Sequence, residues 1–310
     1  MIATVTLNPA FDKTVYIDRL LPNDANRISQ VETDAGGKGI NASRVLKELG
    51  TPTVALGFIG GSTGSFIEFV LREEGVDTDF VRVARETRTN ISIQESSGTP
   101  PTMLNEPGPP VSERDLAELY ARVRDVAGKS AMVILGGSLT AGVPVGAYRT
   151  MSEIVKSAGA KVILDSDGEP MCLGMRAVPF MITPNRDEVK RLSGVDINTI
   201  EDAVEALHIL QADGIELVVI SLGKDGAIAG FKGEVLRAVP PQVKVVSTIG
   251  SGDSMIAGIA HVLARDGSIE DALRMGTAAG AATAMTDGTE IGRKIQIDAL
   301  LDKVTVERIR

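Results

Sequence analysis

Ser247-Thr248-Ile249-Gly250-Ser251-Gly252-Asp253-Ser254 runs directly into the apolar helical pattern of Met255 to Ala264. Two glycines at a helix entrance let the backbone turn tightly and aim consecutive N–H groups at one point, which is also the positive end of the helix dipole. An aspartate is out of place there if anion binding is the whole purpose. A carboxylate beside an anion hole suits a base that takes a proton while the hole holds a migrating negative group, the pairing that phosphoryl transfer needs. The same residues also read as a loop with an N-cap aspartate, so the rest of the chain must decide.

Outward from that stretch, short apolar runs alternate with amphipathic helical patterns, which implies βα units around a mostly parallel sheet. The strand candidates are Ile2–Leu7, Thr53–Ile59, Ala131–Leu135, Lys161–Leu164, Phe180–Ile182 and Leu217–Ser221. Asn41–Leu49 puts Ala42, Val45, Leu46 and Leu49 on one helical face and stops at Gly50. Ser112-x-x-Asp115 opens a helix as a near capping box, and Ser268-x-x-Asp271 opens the helix through Met285 in the same way. Two stretches break the rhythm: Thr14–Leu20 with Arg27–Glu32, and Asn90–Glu95 with Thr102–Leu104. They read as strand pairs of a small second sheet, a lid within about residues 12–35 and 88–105 of one 310-residue α/β domain. Its turns would be Pro22-Asn23-Asp24 and Ser96-Ser97-Gly98.

Ligands of open α/β sheets bind beyond the carboxyl ends of the strands. Asn8-Pro9-Ala10-Phe11-Asp12, Gly136-Gly137-Ser138, Asp165, Thr183 to Glu188 and Ser221 to Gly226 follow successive strands, more polar and acidic chemistry than turns alone require. Two generic motifs fall away. Gly36-Gly37-Lys38-Gly39 resembles a Walker A tail, but Glu32 stands where glycine is required and Gly39 replaces Ser/Thr. Gly60-Gly61-Ser62-Thr63-Gly64 matches G-x-S-x-G, yet a glycine turn before a helix at Ser65–Glu74 accounts for it.

Composition sets outer limits. A 43% apolar content supports a core, and with no Trp and only seven Phe and three Tyr that core is aliphatic. No apolar run reaches the roughly 18 residues that span a bilayer, and Met1-Ile2-Ala3-Thr4 lacks a basic n-region. One cysteine, Cys172, excludes an internal disulfide and a cysteine-based zinc cluster, so a cytoplasmic protein is expected. A net charge of −9 argues against nucleic acid and anionic membrane as partners. His208 and His261 both sit in helical apolar patterns, which leaves little for triad chemistry or multi-histidine metal sites.

With these residues assembled, the chain resembles the ribokinase/phosphofructokinase-B family of sugar kinases over essentially its whole length. Gly36-Gly37-Lys38-Gly39-Ile40-Asn41-Ala42-Ser43 is similar to the first family signature and Ser247 to Ser254 to the second. Thr6-Leu7-Asn8-Pro9-Ala10-x-Asp12, Asn26-Arg27, Thr87-Arg88-Thr89-Asn90 and Asn105-Glu106-Pro107-Gly108-Pro109 resemble the branch that phosphorylates sugar phosphates, most of all its 1-phosphofructokinase and tagatose-6-phosphate kinase members. The resemblance implies a ribokinase-like three-layer α/β fold with a β-sheet lid, and an ATP- and Mg²⁺-dependent kinase. Asp253 would be the base and Gly250, Ser251 and Gly252 the anion hole. Asp12, Asn41 and Gly37 would meet the sugar, and Lys38, Arg88, Arg27 and Ser138 its phosphate. Asn185, Ser221, Gly223, Gly226 and Thr248 would line the nucleotide site, with Glu188 organising Mg²⁺ through water. The implied acceptor is fructose 1-phosphate, with tagatose 6-phosphate and fructose 6-phosphate as alternatives, because Lys38 adds a cation where the minor 6-phosphofructokinase usually has glycine. A non-catalytic sugar-phosphate sensor would have lost the base or the glycine pair, and both are intact. A homodimer through the lid is expected, since a small detached sheet leaves open edges and an apolar face. Asp165-Ser166-Asp167, Thr140, Ala35 and Asp287 depart from the family pattern.

Overall fold

Short apolar runs form strands here because each is buried on both faces, as a parallel sheet between two helical layers requires. The computed structural model describes residues 1–98 and 101–309. Thr99 and Pro100, inside the second lid segment expected from sequence, and Arg310 lie outside the described residues.

In chain order, β1 (Ile2–Thr6) leads into β2 (Ala10–Ile17) and β3 (Gln30–Gly36), then α1 (Lys38–Glu48), β4 (Thr53–Ile59), α2 (Gly61–Glu73) and β5 (Asp77–Arg82). β6 (Arg88–Glu95) and β7 (Thr102–Asn105) precede α3 (Glu113–Ala127), β8 (Met132–Gly136), α4 (Ala147–Ser157), β9 (Lys161–Asp165) and α5 (Gly168–Met175). Next come β10 (Met181–Ile182), α6 (Arg186–Ser193), α7 (Ile200–Gln211), β11 (Leu217–Ser221), β12 (Ala227–Phe231) and β13 (Glu234–Val239). The last elements are α8 (Ser251–Leu263), α9 (Ile269–Thr283), α10 (Lys294–Leu301) and β14 (Thr305–Arg308).

Ten strands make one sheet in the order β14-β13-β12-β11-β10-β9-β8-β1-β4-β5. Pairing is parallel from β11 to β5 and antiparallel from β11 to β14. Alternate residues feed different layers. Ile2, Met132, Ile134 and Ile163 join the core of α1, α8, α9 and α10, whereas Ala3, Val5, Val133, Leu135, Val162 and Leu164 join that of α3 to α7. Among the described residues no helix is long and apolar enough to cross a membrane.

The lid is a separate sheet in the order β3-β2-β6-β7, with β2 and β6 parallel and both outer pairs antiparallel. Its first strand starts at Ala10 rather than Thr14, because the Ala10–Gly36 pair already closes the ladder four residues after β1 ends at Thr6. β5 and β12 to β14 were absent from the expected strand set. β5 carries charge at both ends and lies at the sheet edge. β12 and β13 form a hairpin whose two-residue turn places Lys232 and Gly233 at φ of 49° and 83°, the double positive φ of a type I′ turn. The helix expected from Ser65 begins at Gly61, where the Glu86 carboxylate accepts from the Ser62 and Thr63 N–H groups (3.0 and 3.1 Å) and so replaces a local cap.

Glycines set the closest approaches. α8 and α9 touch backbone to backbone where Gly258 meets Gly276, and this contact seats the α8 N-terminus. Gly57 lies opposite Thr6 in β4 at φ 148°, and a Cβ there would collide with the Thr6 carbonyl. Gly57→Ala is therefore expected to lower unfolding stability by about 3 kcal/mol, read from the shift of the urea midpoint; a shift below a third of that contradicts the packing described.

Candidate active site

β1 is the point where the sheet reverses its winding: β4 and β5 lie on one side, and β8 with its successors on the other. The carboxyl ends of β1 and β8 therefore flank a crevice of the kind that takes ligands in α/β sheets. Asn8, just past β1, donates from Nδ2 to Ser138 Oγ at 3.2 Å across it. The second sheet adjoins the same end, where Arg88 donates to the Asn8 carbonyl.

α8 points its N-terminus into the crevice. Gly250 caps it at φ 77° in the left-handed region, where a side chain is strained. Gly252 differs, since a Cβ on it would meet nothing within 4 Å; its bareness leaves the space above the free N–H groups open to a ligand. Asp253 is 8% exposed and accepts from Asn41 Nδ2 at 2.8 Å. Burial and the nearby Asp165 carboxylate push its pKa up to about 7, against the pull of Lys38 and the Asn41 bond. A buried carboxylate with a pKa near neutrality is suited to taking up a proton. Asn41 Oδ1 and Ser251 Oγ are buried with no partner among the described residues.

Lys38, in the first turn of α1, reaches Asp165 at the end of β9 (3.0 Å). Burial would pull its ammonium down, but Asp165, Asp253 and Glu188 hold it above the usual range. Glu188 and Asn185 form a reciprocal capping box on α6, at 2.8 and 3.0 Å. Burial pushes the Glu188 carboxyl up, as do Asp165 and Asp167, against the Asn185 N–H and Lys38. One ammonium, in contact with Asp165, thus feels three acids, an excess of negative charge that a cation would relieve. Among the described residues no three His, Cys, Asp or Glu side chains are grouped closely enough to cage a metal. The donor set fits an ion kept mainly by water and phosphate oxygens.

Another part of the candidate site is built by the second sheet. Asp12 on β2 takes a hydrogen bond from Asn90 Nδ2 at 2.8 Å, and its other oxygen packs on Gly36, where a Cβ would collide with it. Arg88 opens β6 and donates to the carbonyls of Asn8 (3.0 Å) and Glu106 (3.2 Å), leaving its buried Nε unpartnered among the described residues. Gly37 caps α1 at φ 130°, against Thr6. Arg27 lies exposed in the β2–β3 connection.

On the opposite flank, Ser221 bridges to Asn185 beyond the paired ends of β10 and β11. Gly223 and Gly226 turn the chain at φ 63° and 93°, and a Cβ on Gly226 would strike the Ala238 carbonyl. Thr248 is exposed, and its carbonyl accepts from the Ser251 N–H (3.3 Å) in the turn that starts α8. The structure thus gathers Asp253, Asn41, Lys38 and Glu188 into one centre, with Asp12 and Arg88 on the second sheet and Ser138 against Asn8. Sequence reasoning left Asp165 and Asn90 out of the site. The position of Asp165 at a strand end was a usable signal, whereas nothing local ties Asn90 to Asp12.

The model of the pfkB family carbohydrate kinases matches residues 5–295. The 1-phosphofructokinase of Bacillus subtilis (strain 168) is 34% identical over 309 residues, covering 100% of each chain. The crystal structure of phosphofructokinase-2 from Escherichia coli in complex with fructose-6-phosphate is similar at a TM-score of 0.89 and 26% identity, over 97% of this chain and 98% of that one. Arabidopsis thaliana ribokinase complexed with ribose and ATP is similar at a TM-score of 0.79 and 26% identity, over 97% and 98%.

Proposed function

Because the chain belongs to the pfkB family of carbohydrate kinases, we propose that it transfers the γ-phosphate of ATP to the free primary hydroxyl of fructose 1-phosphate, giving fructose 1,6-bisphosphate and ADP. The chain is a phosphotransferase with an alcohol group as acceptor. The observation that carries the mechanism is Asp253, a buried carboxylate at a helix N-terminus with its pKa at about 7. It takes the hydroxyl proton as the oxygen attacks phosphorus, while the N–H groups of Gly250 and Gly252 hold the transferring group. When bound, Mg²⁺ supplies charge neutralisation on the donor phosphates; Glu188, with Asn185 fixing its carboxylate, is the residue that would hold it through water.

Two assignments are sharpened by the geometry. The resemblance gives Lys38 to the phosphate already on the acceptor, but its ammonium sits among Asp165, Asp253 and Glu188, so we assign it to the group in flight. Arg88, with an unpartnered Nε beside Asp12, then takes the acceptor phosphate, supported by Ser138 and by Arg27. Ser221, Gly223, Gly226 and Thr248 line the nucleotide side. The 1-phosphofructokinase relative favours fructose 1-phosphate, and the fructose-6-phosphate complex of a similar fold favours a second reading with the phosphate at the other end. Measurement of kcat/KM across fructose 1-phosphate, fructose 6-phosphate, tagatose 6-phosphate and fructose separates them. Fructose 1-phosphate is expected to lead by about tenfold or more, and a lead of that size for fructose 6-phosphate overturns the choice.

The reading includes a cytoplasmic homodimer closed through the lid. Leu21, Ile28, Val31, Met103 and Leu104 are exposed apolar side chains on or beside lid strands, and β7 is exposed throughout at the sheet edge. A second copy would cover both features.

A further inference from the structure

Strand register lines up four polar residues across the lid. Asp34 of β3 pairs with Asp12, Asp12 with Asn90, and Asn90 with Asn105 of β7. Residues paired across neighbouring strands project from the same face, so the row presents two acids and two amides side by side.

The row is not symmetric around Asp12. Asp34 is drawn off by Thr289, whose Oγ1 donates to its Oδ2 at 2.6 Å, and by Arg44 at 3.9 Å. Arg88 directs its two Nη atoms to the Asn8 and Glu106 carbonyls and acts on Asp12 only as a nearby charge. Among the described residues Asn90 is therefore the one hydrogen-bond donor to the Asp12 carboxylate. The other Asp12 oxygen is pressed against Gly36, which limits rotation of the carboxylate. Asn90 Oδ1 itself is buried with no partner among the described residues, a demand that a hydroxyl of the acceptor would meet.

We propose that Asn90 is a positioning residue for the acceptor: its amide holds Asp12 in one orientation and in the ionised form that receives a sugar hydroxyl. The proposal rests on the reading of Asp12 as an acceptor-binding group. Burial pushes Asp12 up to about 6; Asn90 and Arg88 pull it down, and Asp34 pushes it up. Loss of the amide donor removes one of only two influences that keep the carboxylate charged. A variant lacking it binds acceptor through a carboxylate that protonates at higher pH, so its deficit grows as the pH falls.

The test is calorimetric binding of fructose 1-phosphate to the full chain between pH 8 and pH 5, for wild type, Asn90→Leu, Asp12→Asn and Asn105→Ala. The ligand's own phosphate titration is common to all four and cancels in the ratio to wild type. Asn90→Leu is expected to weaken binding, with the ratio growing about tenfold from pH 8 to pH 5 for a one-unit rise in the Asp12 pKa. Its kcat at saturating acceptor should stay within about threefold of wild type, since Asp253 is untouched. Asn105→Ala, an exposed member of the same row, should bind like wild type. A ratio that does not change with pH, or unaltered affinity in Asn90→Leu while Asp12→Asn binds poorly, overturns the proposal. Unaltered affinity in Asp12→Asn overturns instead the reading of Asp12 on which it rests. Circular dichroism and ATP affinity, measured alongside, detect a variant that has failed to fold.

Discussion

Asp253→Asn is expected to lower kcat at least about a hundredfold while the affinity for ATP stays within about threefold. The amide keeps the shape and still accepts from Asn41 Nδ2, now 2.8 Å from the carboxylate, but has no lone pair basic enough to receive the hydroxyl proton. In the wild type the base must be ionised, and its pKa is about 7. The kcat/KM of the free enzyme should therefore fall about tenfold per pH unit just below that value, and in the variant's residual rate this limb should be lost, leaving only the fall below about 6 that protonation of Asp12 causes. Stability moves the other way. The native pKa lies above the unfolded value of 3.8, so between the two the native state holds the extra proton and stability declines as pH rises. Asp253→Asn should accordingly melt at a higher temperature than wild type at pH 8. Near-normal turnover in the variant would remove Asp253 from the chemistry.

Lys38→Met carries the second large effect. Methionine matches the length of the lysine stem, but Asp165, Asp253 and Glu188 lose the ammonium that sits among them. Two consequences follow from one missing charge. The transferring group loses a cation, a loss worth about a hundredfold in kcat at sites of this kind. Asp253 loses an influence that lowers its pKa, so the acid limb of kcat/KM shifts to higher pH. If Lys38 served only the phosphate already on the acceptor, the loss would appear in KM with kcat unchanged at high pH, while the limb would still move because the charge acting on Asp253 is gone either way. The split between kcat and KM decides between these roles.

The centre was legible where its cause is local. Gly250, Gly252 and Asp253 announce a helix entrance with an anion hole and a carboxylate because turn, dipole and base lie within four residues. The same holds for the capping box at Ser112, whose partners sit three residues apart. Parallel strands were legible for a related reason, since burial on both faces demands the continuous apolar runs of β1, β4, β8 and β11. Edge strand β5 and hairpin strands β12 and β13 escaped, because one-sided or edge burial leaves polar residues in the pattern. The Lys232-Gly233 turn was the missed local signal.

The contacts that give the centre its chemistry span far greater distances along the chain. Asn41 and Asp253 are 212 residues apart, Lys38 and Asp165 are 127 apart, and Asp12 and Asn90 are 78 apart. By itself the sequence determined which residue types stand at which strand ends and helix entrances, because propensity, capping and burial act over a few residues. Which of those ends become neighbours follows from sheet order and register, and these depend on how whole strands pair and whole helices pack. Only the tertiary structure could therefore bring Asp165 beside Lys38 and set Asn90 against Asp12.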